Sequence, residues 1–275
     1  MSDDVSDKPT GFLPGLYRAL VTPDKSFKSE EQYTASRFHL FFLIFALVFV
    51  GAVLTQKFFG NETMRALTID EATRRVEKMM ANAPREQREE AIRRVEQSQG
   101  GGGFSVVRIV SLIVGAALWP LFVLEVWFLG IILMQFFGGQ EKPVGTKKHR
   151  RSLYLALYAL CPLALQALMK GVVFYFKDPA DIGSVLTLSE YMEAAEVSFS
   201  LFALLDLGRV SGFIKYLVYN LTNPFCLWTL AVAVFGGRSV FAVRSGKIVI
   251  TVSIIFVLIG LQGQLFAMIT GVFGG

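Results

Sequence analysis

Apolar residues along this chain are gathered into long runs, and polar residues into the stretches between them. A helix needs ~20 successive apolar residues to cross the ~30 Å hydrocarbon layer of a bilayer, and several runs meet that length. The first, 38–55, reads FHLFFLIFALVFVGAVLT, without a charge and bounded by Arg37 and Lys57. The second, 104–137, is too long for one upright crossing. With no polar turn between Ala116 and Gln135, it predicts a single tilted helix kinked near Pro120 rather than two spans. The third run is 152–176, with Pro162 inside it, the fourth 223–243 and the fifth 248–272. The predicted fold class is an all-α integral membrane protein with five transmembrane helices, one membrane domain over 1–275 that opens with a cytoplasmic amino-terminal segment, 1–37.

The polar intervals add helices of another kind. Over 11–30, Leu13, Leu16, Tyr17 and Leu20 recur at helical spacing until Pro23 stops the pattern, which predicts a short amphipathic helix lying in the headgroup layer or packed on the bundle. Residues 56–103 hold TRRVEKMMANAPREQREEAIRRVEQ, nearly balanced in acids and bases, a pattern that suits a solvated helix pair in a charged outer loop. Thr68 and Glu71 fit a capping box opening the first of these helices. Asn82 and Pro84 fit the start of the second, and the run SQGGGG closes the segment as a flexible linker. In the outer interfacial segment 177–222, Thr187 and Glu190 form another possible capping box, and 188–205 predicts an amphipathic helix along the membrane surface.

Composition strengthens this reading. Of 275 residues, 53% are hydrophobic and 18% charged, against about a quarter charged in a soluble domain. The net charge of +5 does not point to nucleic acid, because the bases sit at the ends of apolar runs and the charged helices alternate in sign. Lipid is the expected partner, and the bases report orientation. Lys142, Lys147, Lys148, Arg150 and Arg151 mark one cytoplasmic loop, and Arg238, Arg244 and Lys247 mark another with no acid among them. The third connection sets Asp178, Asp181, Glu190, Glu193, Glu196 and Asp206 against Lys177, Arg209 and Lys215, which places it outside. The amino terminus is then cytoplasmic and the carboxyl terminus outside. The opening MSDDVSDKPT lacks the basic start of a cleaved signal peptide.

No pattern of catalysis emerges. GQEKPVGTK at 139–147 has the wrong spacing for a nucleotide loop and follows no strand; HExxH, GxSxG and CxxC are absent, and His39 and His149 have no acidic partner in register. Cys161 and Cys226 lie inside apolar runs, where thiols pack as small hydrophobes. No catalytic residue, cofactor or metal site is expected. Ionisable residues within spans are costly and need partners, which singles out Glu125 near mid-depth of the second run and Lys170 in the third. They fit a structural ion pair or a hydrogen-bonded carboxyl, with a proton or substrate relay as the rival. Gln166, Asn220, Asn223, Gln262 and Gln264 fit hydrogen bonds between helices, with a lined substrate path as the rival. Gly208 and Gly212 have small-xxx-small spacing, but Arg209 between them argues for an interfacial segment. No internal repeat of the transporter type is visible.

Four motifs occur in order: LYRALVTPDKSF at 16–27, FFGGQ at 136–140, YALCPLAL at 158–165 and NPFCLWTLAVAVFGG at 223–237. Through Pro23, Phe27, Gly138, Gly139, Tyr158, Pro162, Asn223, Pro224, Phe225 and Trp228, the chain resembles the Yip-domain proteins (Ypt/Rab-GTPase-interacting membrane proteins), in particular their bacterial members, over about 12–270. The insert APREQREEA is similar to the outer loop of those members. The resemblance implies a five-span membrane protein without catalytic residues, in the bacterial cytoplasmic membrane. Eukaryotic members are non-enzymatic partners of prenylated small GTPases. A GTPase partner here would follow from family analogy alone, and the short amino-terminal region argues against it. The function expected is that of a scaffold or adaptor that binds other membrane proteins or itself, or organises the bilayer. A small-solute or ion transporter, or an accessory subunit of one, is the alternative.

Overall fold

The computed structural model describes residues 12–27, 37–100, 106–137, 146–182, 187–195, 197–200 and 212–273, and every regular element among them is helical. In chain order they are α1 (Phe12–Val21), α2 (Pro23–Ser26), α3 (Arg37–Phe59), α4 (Glu62–Met79), α5 (Arg85–Gly100), α6 (Val106–Phe137), α7 (Thr146–Phe176), a 3-10 turn (Pro179–Ile182), α8 (Leu188–Ala195), α9 (Gly212–Leu221), α10 (Pro224–Phe241) and α11 (Ser245–Phe273). Among the described residues, Phe38–Phe58, His149–Phe176 and Pro224–Phe241 are long and apolar enough to cross a membrane by length and composition. Leu121–Phe136 and Ser245–Ile259 are shorter apolar stretches, carried on continuous helices of 32 and 29 residues.

The chain forms two compact units. The described parts of Met1–Val48, Ala117–Gln166 and Phe199–Thr270 make the first; those of Phe49–Ala116, Ala167–Ser198 and Gly271–Gly275 make the second. The first unit is centred on α7, where every residue from Ser152 to Pro162 is buried. Cys161 and Cys226 are free and buried in it, packed as the apolar runs require. The helix continues through Pro162, whose ring is fully buried.

In the second unit the close approach of two backbones sets the packing. A Cβ on Gly51 of α3 would run into the Ala167 carbonyl of α7, with the Leu168 nitrogen 2.9 Å away, and one on Gly171 would meet the backbone of Gly51. Glycine at both positions lets helices in lipid approach closely enough for backbone contact. Beyond this crossing, Phe58, Phe174, Tyr191 and Ala195 form a buried cluster. Phe58 packs on Phe174 and Tyr191 at ring separations of 5.1 and 6.0 Å. Asn61 fastens it: its amide nitrogen donates to the Phe58 carbonyl (2.6 Å) and the Tyr191 hydroxyl (2.7 Å), while its amide oxygen caps α4 by accepting from the Met64 N–H (2.7 Å). Lys177 donates to the carbonyls of Ala194 and Ala195 at the carboxyl end of α8, where a cation is favourable. Among the described residues, the solvated pair α4 and α5 carries exposed i,i+4 ion pairs at Asp70–Arg74, Glu71–Arg75, Arg85–Glu89 and Glu90–Arg94.

Several expectations need correction. Thr68 does not open the first charged helix: Asn61 does so seven positions earlier, leaving Thr68 inside α4 with its hydroxyl bonded back to the Met64 carbonyl (2.7 Å). The helix expected over 188–205 ends at Ala195, and 197–200 is not helical. α7 begins at Thr146, so the basic residues from Lys147 to Arg151 stand on its first turns rather than in a loop. Pro23 does end α1, but it also starts α2, because proline suits a first helical position. The box at Thr187 and Glu190 is formed in both directions, Thr187 N–H to the Glu190 carboxylate (3.1 Å) and Glu190 N–H to the Thr187 hydroxyl (3.2 Å).

Candidate functional site at the docked amino-terminal segment

The residues from Phe12 to Phe27 are too few to bury a core of their own, and the first unit holds them by a small number of specific contacts. α1 ends where Thr22 bonds back to the Arg18 carbonyl through both its N–H (2.8 Å) and its hydroxyl (3.1 Å). The following turn lies along α10. Trp228 donates its indole N–H to the Leu20 carbonyl (2.9 Å), and Ser239 its hydroxyl to the Asp24 carbonyl (2.8 Å). One carbonyl in the last turn of α1 and one in α2 are thereby bound by side chains from a helix more than two hundred residues away. Phe27, fully buried, sets its ring edge-on to Tyr158 of α7 at 5.8 Å. A Cβ on Gly236 would lie 3.0 Å from that ring and collide with Leu155, so glycine makes room for the phenylalanine.

Four of the ten motif residues named above meet here. Pro23 starts α2, Phe27 and Tyr158 are in contact, and Trp228 holds the turn. Asn223 caps α10 by accepting from the Phe225 N–H (2.9 Å), with Pro224 at the first helical position. The Phe225 ring sits edge-on to Phe199 at 5.4 Å. Pro162 is elsewhere, deep in α7, and Gly138 and Gly139 lie outside the described residues, as does Gly208. Sequence reasoning missed Ser239, Leu155 and Gly236 as parts of this joint. The glycine pair at 236–237, inside an apolar helix, was the available signal.

The other sequence candidates are dispersed. Glu125 is half-buried on α6 in the first unit, and Gln166 is half-buried on α7 in the same unit. Lys170 is half-buried in the second unit. Gln262 and Gln264 lie on α11, their side chains outside the described set, and Asn220 is half-buried near the end of α9. His39 stacks on Phe12 at 6.2 Å, and His149 on Trp127 at 6.3 Å. Among the described residues, no three of the His, Cys, Asp and Glu side chains gather as metal ligands would.

Between α6, α7, α10 and α11 the first unit has a small, partly open apolar cavity of about 80 Å³. Its polar neighbours are engaged with one another or with backbone. Trp127 donates to the Ser152 hydroxyl (2.9 Å), Ser152 to the His149 carbonyl (2.8 Å) and Thr251 to the Lys247 carbonyl (3.0 Å). A cavity whose polar groups are already paired stays dry and offers nothing to a polar ligand.

Long apolar helices, thiols and small residues buried as packing, and a short helical segment strapped to the bundle define a helical membrane protein. Its kinship is equally plain. The Yip1 domain model matches residues 17–267, nearly the whole chain, and the protein belongs to that family. Among curated proteins and among solved structures, none matches the chain.

Proposed function

We propose that this protein is a non-enzymatic scaffold or adaptor of the membrane, threading it five times with its amino terminus in the cytoplasm, and that α1 is the part that engages a partner membrane protein or a second copy. The observation that carries this reading is the way α1 is held. Hydrogen bonds to the carbonyls of Leu20 and Asp24 and the buried ring of Phe27 fix the segment to the bundle. Leu13, Tyr17 and Val21 stand 71, 68 and 51% exposed. Spaced i, i+4, i+8, these three form one apolar stripe on a helix that has already lost its freedom to move. A pre-ordered helix face binds without a further ordering cost. Recognition of an apolar helical face by a groove or a second helix is a common mode of association.

The test is a photo-crosslinking amino acid placed at Tyr17 in cells. A dominant adduct of fixed mass, containing a membrane protein or a second copy, is the expected result. The same probe in a Phe27→Ala background should lose the adduct as the segment comes away. Adducts to lipid alone would refute the recruiting role of α1.

A further inference from the structure

On the side of the α1–α2 turn that faces the carboxyl end of α10 there is a cleft of about 720 Å³. Val21, Pro23 and Phe235 supply its apolar wall, and Asp24, Arg238 and Ser239 its polar one. Val21 and Phe235 are each about half exposed, at 51 and 53%. The Ser239 hydroxyl is spent on the Asp24 carbonyl. The two charges are not spent. Among the described residues, neither the Asp24 carboxylate nor the Arg238 guanidinium enters an ion pair or a side-chain hydrogen bond, although both line the same cleft. Ala242, also on the wall, ends α10 in the left-handed conformation (φ 54°, ψ 40°) with its N–H on the Arg238 carbonyl (3.0 Å), which fixes the backbone carrying that arginine.

Two opposite charges that share a wall without meeting, next to apolar surface, match a ligand that carries both signs and a hydrocarbon tail. We propose that this cleft binds a zwitterionic phospholipid with a primary ammonium headgroup, of the phosphatidylethanolamine type. Arg238 takes the phosphate, for which a guanidinium is well shaped. Asp24 takes the ammonium, and an acyl chain runs over Val21 and Phe235. A primary ammonium offers three N–H donors to a carboxylate, and a quaternary ammonium offers none. A purely anionic headgroup would meet repulsion from Asp24. The cleft lies at the end of a helix long and apolar enough to cross the bilayer, where headgroups are found, which favours a lipid over a free phosphate compound. The inference rests on α10 spanning the membrane and not on the recruiting role of α1.

Delipidated full-length protein in detergent, titrated with phosphatidylethanolamine, phosphatidylcholine and phosphatidylglycerol of identical chains and read by native mass spectrometry, decides the matter. Phosphatidylethanolamine should be retained about tenfold more tightly than either of the others, the size expected of one charge-assisted hydrogen bond. Asp24→Asn should erase the preference over phosphatidylglycerol, Arg238→Gln should weaken both lipids, and Arg238→Lys should restore them in part. Equal retention of all three lipids by the unaltered protein would overturn the proposal, and so would a preference that survives Asp24→Asn. Binding of soluble phosphoethanolamine as tight as that of the lipid would refute the lipid source. Since the first of these measurements uses no variant, a substitution that fails to fold does not protect the idea.

Discussion

Two single residues carry geometry that their side-chain chemistry alone would not suggest. Gly51 and Gly171 face backbone, which cannot step aside as the tip of a side chain can. Replacing Gly171 by Val should therefore cost about 3 kcal/mol or more, at the upper end of overpacking effects. The expected result is loss of monodisperse protein on extraction, with Gly246→Val, in open space, as the harmless control. Ala242 is the converse case, a non-glycine residue in the left-handed region. Ala242→Gly removes that strain and should raise stability by about 1 kcal/mol, visible as a higher thermal midpoint. The indole bond of Trp228 is a third case. Trp228→Phe gives up one hydrogen bond to the Leu20 carbonyl, about 1 kcal/mol, and should increase proteolysis within Phe12–Phe27 well before it unfolds the bundle.

At the scale of elements, capping separates what spacing reveals from what it conceals. The box at Thr187 and Glu190 was legible because both partners lie within one turn of the chain. The same pattern at Thr68 and Glu71 was misleading. Asn61, an upstream capper tied also to Phe58 and Tyr191, already opens the helix at Glu62. Asn61→Ala should thus destabilise by at least the ~1 kcal/mol of a lost cap, and Thr68→Ala should change little, a contrast that denaturation of the two variants would reveal. In the solvated pair, a hydrogen bond from Arg85 holds the Glu89 carboxyl below the ordinary carboxylate range, and Glu89 in turn raises Arg85. A carboxyl whose folded value is lowered stabilises above its unfolded value and stops doing so as pH falls through the lowered one. Helicity of α4 and α5 by circular dichroism should hold from neutral pH down to the carboxylate range and decline below it, less steeply in Glu89→Gln. With both groups fully exposed, the effect should be small and sensitive to salt.

For the molecule as a whole, the apolar run lengths made the helical membrane fold readable, since nothing but helix satisfies the backbone across lipid in runs of that composition. The helices at Phe38–Phe58, His149–Phe176 and Pro224–Phe241, long and apolar enough to cross a membrane, follow those runs. The joint between the amino-terminal segment and α10 was not readable. Leu20 and Trp228 are separated by 208 positions, and no local periodicity links them, although Trp228, Phe27 and Tyr158 had each been marked by family resemblance. Of the cleft's two charges, Asp24 stood only inside the motif at 16–27 and Arg238 only as a guide to orientation, because a base at a helix end looks the same in sequence whether it faces water or a ligand. The threading proposed above is open to direct measurement: with single cysteines at Lys147 and Asp178 and a membrane-impermeant reagent, Asp178 should be labelled in intact cells and Lys147 only after the cells are opened. Labelling of both from the same side would show that α7 does not cross the membrane and would overturn the five-span threading.

Asn61 opens the tripeptide NET, the acceptor pattern for an N-linked glycan. In the folded protein its amide nitrogen already gives hydrogen bonds to Phe58 and Tyr191. Attachment of a sugar replaces one of the two hydrogens and places bulk against the aromatic cluster, so α4 would lose its anchor. Production in a eukaryotic secretory host should therefore yield two populations, a sugar-free form with the hairpin docked and a glycosylated form with it displaced, and a bacterial host should yield the first alone.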